Sequence, residues 1–424
     1  MTPLPHPQPA TGNRRLLFTC YHFHLDTSNG AAISSREILR LLARRGWEVR
    51  VLCGPLLDFF DGRQRIPQII ADRGITPQVT YGRSDGIDFS LLEFQDEQMQ
   101  VEVFLPNTQN ASQQHNHHPP TPGEGNVFLE RHRQICELWR PHIVMTYGGF
   151  WMIEPLLQIS HAFHAKTVFS LRNFAYKNAA MFHEVDLTLV PSQFASDWYA
   201  EKLGIKSTPI PSPIDWNTIL CDNDISERKY VTFVNPDPNK GVYVFAQIAK
   251  QLWERRPDIP LLVVEGRAGA DWLARTGVDL QGVGNMSPGC CASGIMANTP
   301  DPRDFYRVTK IMLVPSLFLE SFGRVAAEAM MNGIPVVASN RGALPEVIGD
   351  AGITLEIPAQ YTPETRIAPM PEEVEPWVNA IIHLWDNTTL YNELSAKGRS
   401  RANRWHPEII ARQYDDALAR LIVS

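Results

Sequence analysis

The sequence has few cysteines, no long apolar run and no excess of basic residues, and each absence excludes a class of protein. Six cysteines in 424 residues are too few for a disulfide-based scaffold, and none shows the C-x-x-C spacing of a structural zinc site. No apolar run approaches the ~20 residues that a membrane-spanning helix needs. The 39 basic and 46 acidic residues give a net charge of −7, so we expect no general affinity for nucleic acid.

Apolar material is ample. Hydrophobic residues make up 44% of the chain, enough for cores in two to three domains at about 150 residues per domain. The Pro-rich segment 1–13 lacks the apolar region of a signal peptide, and we expect a flexible tail and a cytoplasmic protein. Residues 107–125 are of low complexity, which favours a solvated loop; metal binding by His115, His117 and His118 is the alternative.

Two series of apolar runs alternating with helical patterns follow one another along the chain. The first opens with a strand at 14–20, a helix at 34–45 closed by Gly46, and a strand at 47–52, which predicts a parallel β–α–β unit. Further strands are expected at 142–146, 167–171 and 187–190. A helical stretch follows each of them.

The second series begins at residue 230. Its strands are expected at 230–234, 260–264, 311–314 and 335–338, and its helices at 242–253 and from Arg324. We therefore predict an α/β protein of two Rossmann-like domains, 14–206 and 207–404, followed by an amphipathic helix in 405–424. The Pro-rich turn 207–212 is the best hinge candidate, because proline bars a helix there.

The segment 314–349 carries the most chemical information. A strand leads into a loop, and a helix starts near Arg324. Gly323 lets the backbone approach a ligand, and the first helical turn leaves N–H groups that favour an anion. Glu320 precedes the helix and Glu328 lies about one turn inside it. Since carboxylates accept hydrogen bonds from sugar hydroxyls well, the pair indicates a sugar ligand beside a phosphate; two solvated glutamates are the alternative.

The stretch ESFGRVAAEAMMNGIPVVAS at 320–339 resembles the retaining, nucleotide-sugar-dependent glycosyltransferases of family 4 (glycosyl transferases group 1), whose signature contains E-x7-E. Weaker matches follow the expected order at 29–32 (NGAA), 191–194 (PSQF), 211–215 (PSPID) and 239–241 (NKG). The resemblance implies the GT-B fold: two Rossmann-like domains facing each other across a cleft, the second binding the nucleotide. It also implies that the helix in 405–424 crosses back to the first domain.

The resemblance implies roles for individual residues. Glu320 would face the donor sugar and Glu328 the donor ribose. Lys240 would pair with the donor phosphates, and Lys240 and Glu320 are the expected catalytic residues. Gly30 would approach the diphosphate from the first domain, a merely structural turn being the alternative. The loop that leads into the helix expected near Arg324 would bind the donor through Ser321, Phe322, Gly323 and Arg324.

Some positions depart from the family pattern. Asn235 is expected to bind the donor but stands where many relatives carry an arginine, so stabilisation of the leaving group would depend more on Lys240 and the helix dipole. Arg172 stands where many carry a histidine; it cannot act as a base but could clamp an anionic acceptor or a phosphate. His22 and His24 are further candidates for the acceptor cleft, with structural histidines as the alternative.

We expect no metal and no cofactor. Asp222–Asp224 fits the letters of a D-x-D motif but lies in a polar interdomain stretch, so Lys240 and helix N–H groups would neutralise the diphosphate. The basic helix 34–45 leaves contact with anionic lipid open, although such helices more often cover a sheet. The sequence leaves the oligomeric state open.

The implied activity is that of a hexosyltransferase. It would move a sugar from a nucleotide-diphosphate donor to an acceptor, with retention at the anomeric carbon. The acceptor would be a glycan, a lipid-linked molecule or a small molecule. A nucleotide-sugar epimerase or hydrolase on the same fold and a non-catalytic nucleotide-sugar-binding subunit are the alternatives.

Overall fold

The computed structural model describes residues 14–27, 30–57, 65–107, 119–221, 226–278 and 294–423. The chain forms two compact units. Of the described residues, the first contains those up to Leu171, Tyr176–Leu189 and those from Ala411 on; the second contains Arg172–Ala175 and those within Val190–Ile410. The predicted tail, the central part of the loop 107–125 with its three histidines, and Asp222–Asp224 lie outside the described residues.

The first sheet is mixed. Its strands are Arg15–His22 (β1), Glu48–Leu56 (β2), Gln78–Ser84 (β3), Ile87–Asp96 (β4), Met99–Pro106 (β5), Ile143–Thr146 (β6), Lys166–Ser170 (β7), Leu187–Val190 (β8) and Thr208–Pro209 (β9). Their order is β3-β4-β5-β2-β1-β6-β7-β8-β9. β1 and β2 pair in parallel, as predicted from the β–α–β pattern. β3, β4 and β5 pair antiparallel, and this meander is an addition that the sequence-based prediction did not contain.

The second sheet is parallel throughout. Its strands are Tyr230–Val234 (β10), Leu261–Val264 (β11), Gly294–Met296 (β12), Thr309–Val314 (β13), Val336–Ser339 (β14) and Ile353–Leu355 (β15). Their order is β12-β11-β10-β13-β14-β15. Neighbouring strands all run in the same direction. Parallel sheets are covered on both faces, which explains why the four central strands, β10, β11, β13 and β14, are continuous apolar runs in the sequence.

Helices occupy most of the connections between parallel strands and the end of the chain. In chain order they are Gly30–Arg44 (α1), Ile66–Asp72 (α2), Pro122–Trp139 (α3), Ile153–Ala162 (α4), Gln193–Leu203 (α5), Trp216–Ile219 (α6), Val242–Arg255 (α7), Asp271–Ala274 (α8), Arg303–Tyr306 (α9), Arg324–Met331 (α10), Leu344–Ile348 (α11), Pro371–Asp386 (α12), Thr388–Ala402 (α13) and Pro407–Val423 (α14). Short 3₁₀ helices are Ala180–Phe182, Pro238–Lys240 and Asn403–Trp405.

Two of the sequence-based expectations are corrected here. β7 is followed by the 3₁₀ turn Ala180–Phe182 rather than by a helix. The predicted loop 107–125 ends earlier, because Thr121 and Glu124 form a capping box that starts α3 at Pro122. The second unit includes α5, which precedes the predicted boundary at 206/207: the Glu346 carboxylate accepts from two α5 backbone N–H groups at 3.0 and 2.8 Å.

The arginines of α1 are engaged within the first unit. Arg36 is 7% exposed, and its guanidinium donates to the carbonyl of His24 at 2.9 Å. Arg40 and Arg44 pair with Asp96 and Glu97 at 2.8 Å each, and Arg45, which directly follows α1, pairs with Asp415 at 2.9 Å. These contacts favour a helix that covers the sheet over one that binds lipid. Within the described ranges, no helix combines the length and the apolar character needed to cross a membrane.

The later part of α14 belongs to the first unit. The carboxylate of Asp415 accepts hydrogen bonds from the indole N–H of Trp47 at 2.9 Å, from Arg45 at 2.9 Å and from Arg14 at 2.6 Å. Burial opposes ionisation here, but the Trp47 hydrogen bond and the two arginines lower the pKa of Asp415. The helix is thus held by a buried, charge-assisted contact as well as by its apolar face.

Candidate functional site

The second sheet has its topological switch point between β10 and β13, where the strand order reverses. In parallel sheets, ligands bind beyond the carboxyl ends of the strands at such a point. The loops that leave these two strands carry most of the predicted residues. Asn235 and Lys240 follow β10, and Glu320 follows β13. The topology therefore gathers residues that are far apart in sequence.

The loop after β10 is fixed by a side-chain cap and a glycine. The Asp237 carboxylate accepts from the N–H of Asn239 at 2.7 Å and begins the 3₁₀ turn Pro238–Lys240. Gly241 has a φ of 85°, and a Cβ there would lie 1.9 Å from the carbonyl oxygen of Pro315. Only glycine fits such an approach. The Asn239 carbonyl accepts from two N–H groups of the β13 loop at 2.9 Å each. Lys240 is therefore held against that loop.

Lys240 and Glu320 form an ion pair. The ammonium of Lys240 donates to Oε1 of Glu320 at 2.6 Å, and the hydroxyl of Ser316 donates to the same oxygen at 3.0 Å. The Glu320 side chain is 11% exposed and that of Lys240 is 35% exposed. Ser316 is fully buried, and its carbonyl accepts from Ser339 at 2.7 Å. The carboxylate is thus anchored from inside the unit, with the ammonium on its more exposed side.

Helix α10 begins beside this pair without a side-chain cap. Gly323 precedes it with a φ of 88°, and a Cβ there would lie 2.7 Å from the Leu344 side chain. The N–H groups of the first turn, which have no intrahelical acceptor, give this end a partial positive charge. Phe322 is buried with its ring edge-on to Trp405 at 5.7 Å between centroids. The hydroxyl of Ser321 donates to the Arg172 carbonyl at 2.6 Å.

Glu328 lies one turn into α10 and is 6% exposed. The hydroxyl of Tyr306 donates to its Oε2 at 2.7 Å, and Nε of Arg324 donates to Oε1. Burial and the neighbouring carboxylate raise the pKa of Tyr306 well above its usual value, so the phenol stays protonated as a donor. The sequence did not single out Tyr306, because it lies on α9, ahead of β13. Its adjacency to Phe305 suggests only a core residue.

Asn235 has a structural contact that its sequence position did not reveal. Its backbone is left-handed, with a φ of 61°. Its side-chain oxygen accepts from the N–H of Ala268 at 2.9 Å, and its own N–H donates to the Val264 carbonyl at 2.8 Å. Asparagine tolerates this conformation, and an arginine has no acceptor with which to make the bond to Ala268. The departure from the family pattern thus has a local physical reason.

The structure places Arg172 in the second unit, at the loop that carries Ser321. Its guanidinium donates to the hydroxyl of Ser212 at 2.9 Å. The residues that the structure brings together at the second sheet are therefore Lys240, Asn235, Arg172, Glu320, Ser321, Phe322, Gly323, Arg324 and Glu328.

The remaining predicted residues lie in the first unit. His22 ends β1 and stacks on Tyr147 at 5.2 Å between ring centroids. His24 is 3% exposed and its Nε2 lies 2.9 Å from the Asp96 carboxylate. Burial lowers the pKa of His24 despite this hydrogen bond, which favours a structural role. Gly30 is the first residue of α1, and a Cβ there would meet no described heavy atom within 4 Å.

The described residues contain no cluster of metal ligands. No group of three or more histidine, cysteine, aspartate or glutamate side chains in those ranges is arranged to hold a metal ion. At the second sheet, each site carboxylate instead has a cationic neighbour: Lys240 for Glu320 and Arg324 for Glu328.

Residues 228–387 match the sequence profile of the family described as "Glycosyl transferases group 1". Among curated proteins, a phosphatidyl-myo-inositol mannosyltransferase of Mycolicibacterium smegmatis is 27% identical over 265 residues, which cover 59% of this chain and 62% of that protein. A lipopolysaccharide 1,2-N-acetylglucosaminetransferase of Salmonella typhimurium is 29% identical over 187 residues, covering 39% of this chain and 47% of that protein. The matched segments thus span about three fifths of the mannosyltransferase and less than half of the N-acetylglucosaminetransferase.

Solved structures resemble the chain over nearly its full length. Sucrose-phosphate synthase from Thermosynechococcus elongatus has a TM-score of 0.66 at 16% identity, covering 97% of this chain and 100% of that one. Anabaena Alr3699/HepE in complex with UDP and glucose has a TM-score of 0.63 at 16% identity, covering 96% and 100%. At such identities the likeness is one of fold. Residues 228–387 therefore match a glycosyl transferases group 1 domain, and the chain as a whole has the GT-B fold.

Proposed function

We propose that this protein is a retaining glycosyltransferase that takes its sugar from a nucleoside-diphosphate donor. The observation that carries the proposal is the Lys240–Glu320 pair, 2.6 Å apart, at the switch point of the second sheet and beside the uncapped start of α10. A cation and free N–H groups suit a diphosphate, and a carboxylate suits sugar hydroxyls. The named activities of the relatives, mannosyl and N-acetylglucosaminyl transfer, support the same reaction class.

Each part of the donor would contact the protein groups that suit its chemistry. The diphosphate is proposed to lie between the Lys240 ammonium and the first-turn N–H groups of α10, with Glu320 accepting from hydroxyls of the transferred sugar. Glu328, one turn further along, would accept from the ribose hydroxyls. Tyr306 and Arg324 each donate one hydrogen bond to a different oxygen of Glu328, so each oxygen keeps a further lone pair with which to accept. UDP in the Anabaena structure makes a uridine donor the first to test.

Transfer would proceed with loss of the diphosphate. The bond between the anomeric carbon and the phosphate oxygen breaks, and its electron pair stays on that oxygen. Lys240 and the α10 N–H groups stabilise the negative charge that develops there. The acceptor hydroxyl attacks the anomeric carbon from the same face, and its proton passes to the departing phosphate oxygen, so the configuration is retained. No metal enters this scheme.

The acceptor is proposed to be bound mainly by the first unit. His22 stays a candidate contact there, and Arg172 stays a candidate clamp for an anionic acceptor. His24 is not included, because its buried ring already contacts Asp96. The acceptor class, whether glycan, lipid-linked or small molecule, would be identified by the assay.

The test is a turnover assay over UDP-, GDP- and ADP-sugars with a panel of acceptors, read by mass spectrometry and by proton NMR of the products. We expect release of nucleoside diphosphate that depends on an acceptor, and a product whose anomeric proton coupling matches that of the donor. An isomerised donor or a free sugar formed without acceptor would instead show an epimerase or a hydrolase. Calorimetric binding of a donor without any turnover would show a binding subunit.

A further inference from the structure

The phenol of Tyr306 holds one side of the Glu328 carboxylate. Tyr306 is fully buried, at the end of α9, and its hydroxyl lies 2.7 Å from Oε2. Arg324 donates to the other oxygen from the same helix. We propose that Tyr306 is a positioning residue that orients Glu328 for the two ribose hydroxyls of the donor. This role rests on the proposed function.

The geometry of a carboxylate explains why a second donor is needed. The terminal torsion of a glutamate side chain has a broad range of values. With only the hydrogen bond from Arg324 to Oε1, the plane of the Glu328 carboxylate would therefore remain free to rotate. A hydrogen bond to each oxygen fixes that plane and leaves one lone pair on each oxygen to accept from the two hydroxyls of a vicinal diol. Removing the phenol would also leave a buried carboxylate oxygen without its donor. The Tyr306 hydroxyl therefore acts on the ligand through Glu328.

The tyrosine ring has a separate packing role, and the two roles can be separated. Its ring lies 4.3 Å from that of Phe305 between centroids, within the apolar cluster around β13. Substitution by phenylalanine keeps this packing and removes only the hydroxyl. Tyr306→Phe is therefore the informative variant.

The chain offers a matched control. Tyr361 is 7% exposed in the same unit, and its hydroxyl also donates to a glutamate carboxylate, that of Glu373. Tyr361→Phe thus makes the same chemical change to the same kind of hydrogen bond, at the cap of α12 rather than beside Glu328.

The experiment measures calorimetric affinities of the full chain for whichever of UDP, GDP and ADP it binds most tightly, and for the 2′-deoxy form of that nucleotide. We expect Tyr306→Phe to weaken the ribonucleotide about 10-fold and the deoxynucleotide by about 2-fold or less. In a Glu328→Gln background, Tyr306→Phe should have no further effect. Tyr361→Phe should bind both nucleotides as the unaltered chain does.

Equal weakening of both nucleotides by Tyr306→Phe, or unchanged affinity for the ribonucleotide, would overturn the positioning role while leaving the proposed function standing. A further loss in the Glu328→Gln background would overturn it as well. If the unaltered chain binds none of the three nucleotides, the proposed function fails, and the role of Tyr306 fails with it. Circular dichroism and melting curves establish that each variant is folded.

Discussion

Replacing Lys240 by alanine should separate catalysis from binding. Because its side chain is 35% exposed, its attraction for a bound diphosphate is screened in the ground state and should contribute about 0.5–1 kcal/mol, a 2- to 5-fold change in affinity. In the transition state the donor excludes water and the leaving oxygen gains charge, so the same ammonium should contribute about 2.7–4 kcal/mol. We therefore expect kcat to fall about 10²- to 10³-fold while donor affinity falls only a few-fold.

The ion pair provides a second variant that tests the reasoning. Lys240→Ala leaves the Glu320 carboxylate, 11% exposed, without its ammonium, and that charge would repel the diphosphate. Adding Glu320→Gln should therefore restore part of the lost nucleotide affinity without restoring turnover. Lys250→Ala is the matched control, since that lysine is 41% exposed on α7 and lies 3.8 Å from Glu254.

Steady-state kinetics at saturating donor, with calorimetry on the nucleoside diphosphate, decide the outcome. A rise in KM for the donor with kcat unchanged would refute the catalytic role and make Lys240 a binding residue. Arg172 and Arg324 would then be the cations to examine. Lys240→Arg should recover only part of the turnover, because a planar guanidinium does not fit the position of a compact ammonium without shifting.

Three further outcomes follow from the site and the core. Glu328→Ala should weaken nucleoside-diphosphate binding by about 10- to 150-fold through loss of charge-assisted hydrogen bonds, and unchanged calorimetric affinity would contradict its contact with the ribose. Turnover should survive EDTA; complete loss restored by Mg²⁺ or Mn²⁺ would show a metal requirement. Burial lowers the pKa of His132 to about 3, so between pH 6.5 and 3 the unfolded chain binds the extra proton and stability falls as the pH falls, by up to about 1.4 kcal/mol per pH unit. The free energy of unfolding, measured in urea between pH 7 and 5, should fall less steeply with falling pH for His132→Gln than for the unaltered chain. An equal pH dependence in the two proteins would contradict this assignment.

The four central strands of the second sheet and the helices α7 and α10 could be predicted from the sequence, because these strands are uninterrupted apolar runs; the short edge strands β12 and β15 could not. β10 lies at 230–234 as expected, and α10 starts at Arg324 as expected. The antiparallel meander was missed for the opposite reason. Most of β3 is exposed, so its residues lack the apolar pattern that signals a strand. Its turn to β4, with left-handed residues at Asp85 and Gly86, was the available signal.

Within the candidate site, sequence indicated residue types but not their partners. The E-x7-E spacing pointed to Glu320 and Glu328, yet nothing local to those letters shows that Tyr306 and Ser316 hold the two carboxylates. Contacts between separate elements depend on packing distances, which a single sequence does not contain. Asn235 is the converse case: the sequence shows only a missing arginine, whereas the structure shows an acceptor for a neighbouring turn.

The place of α14 in the first unit affects how the chain folds during synthesis and how chimeras with its relatives have to be designed. Residues from Ala411 on belong to the same unit as β1, but the ribosome synthesises the whole second unit between them. Until they emerge, the indole N–H of Trp47 lacks the Asp415 acceptor and the neighbouring core is uncovered. The first unit therefore begins folding first and is completed last. A chimera that exchanges this unit between relatives has to exchange residues 411–423 with it.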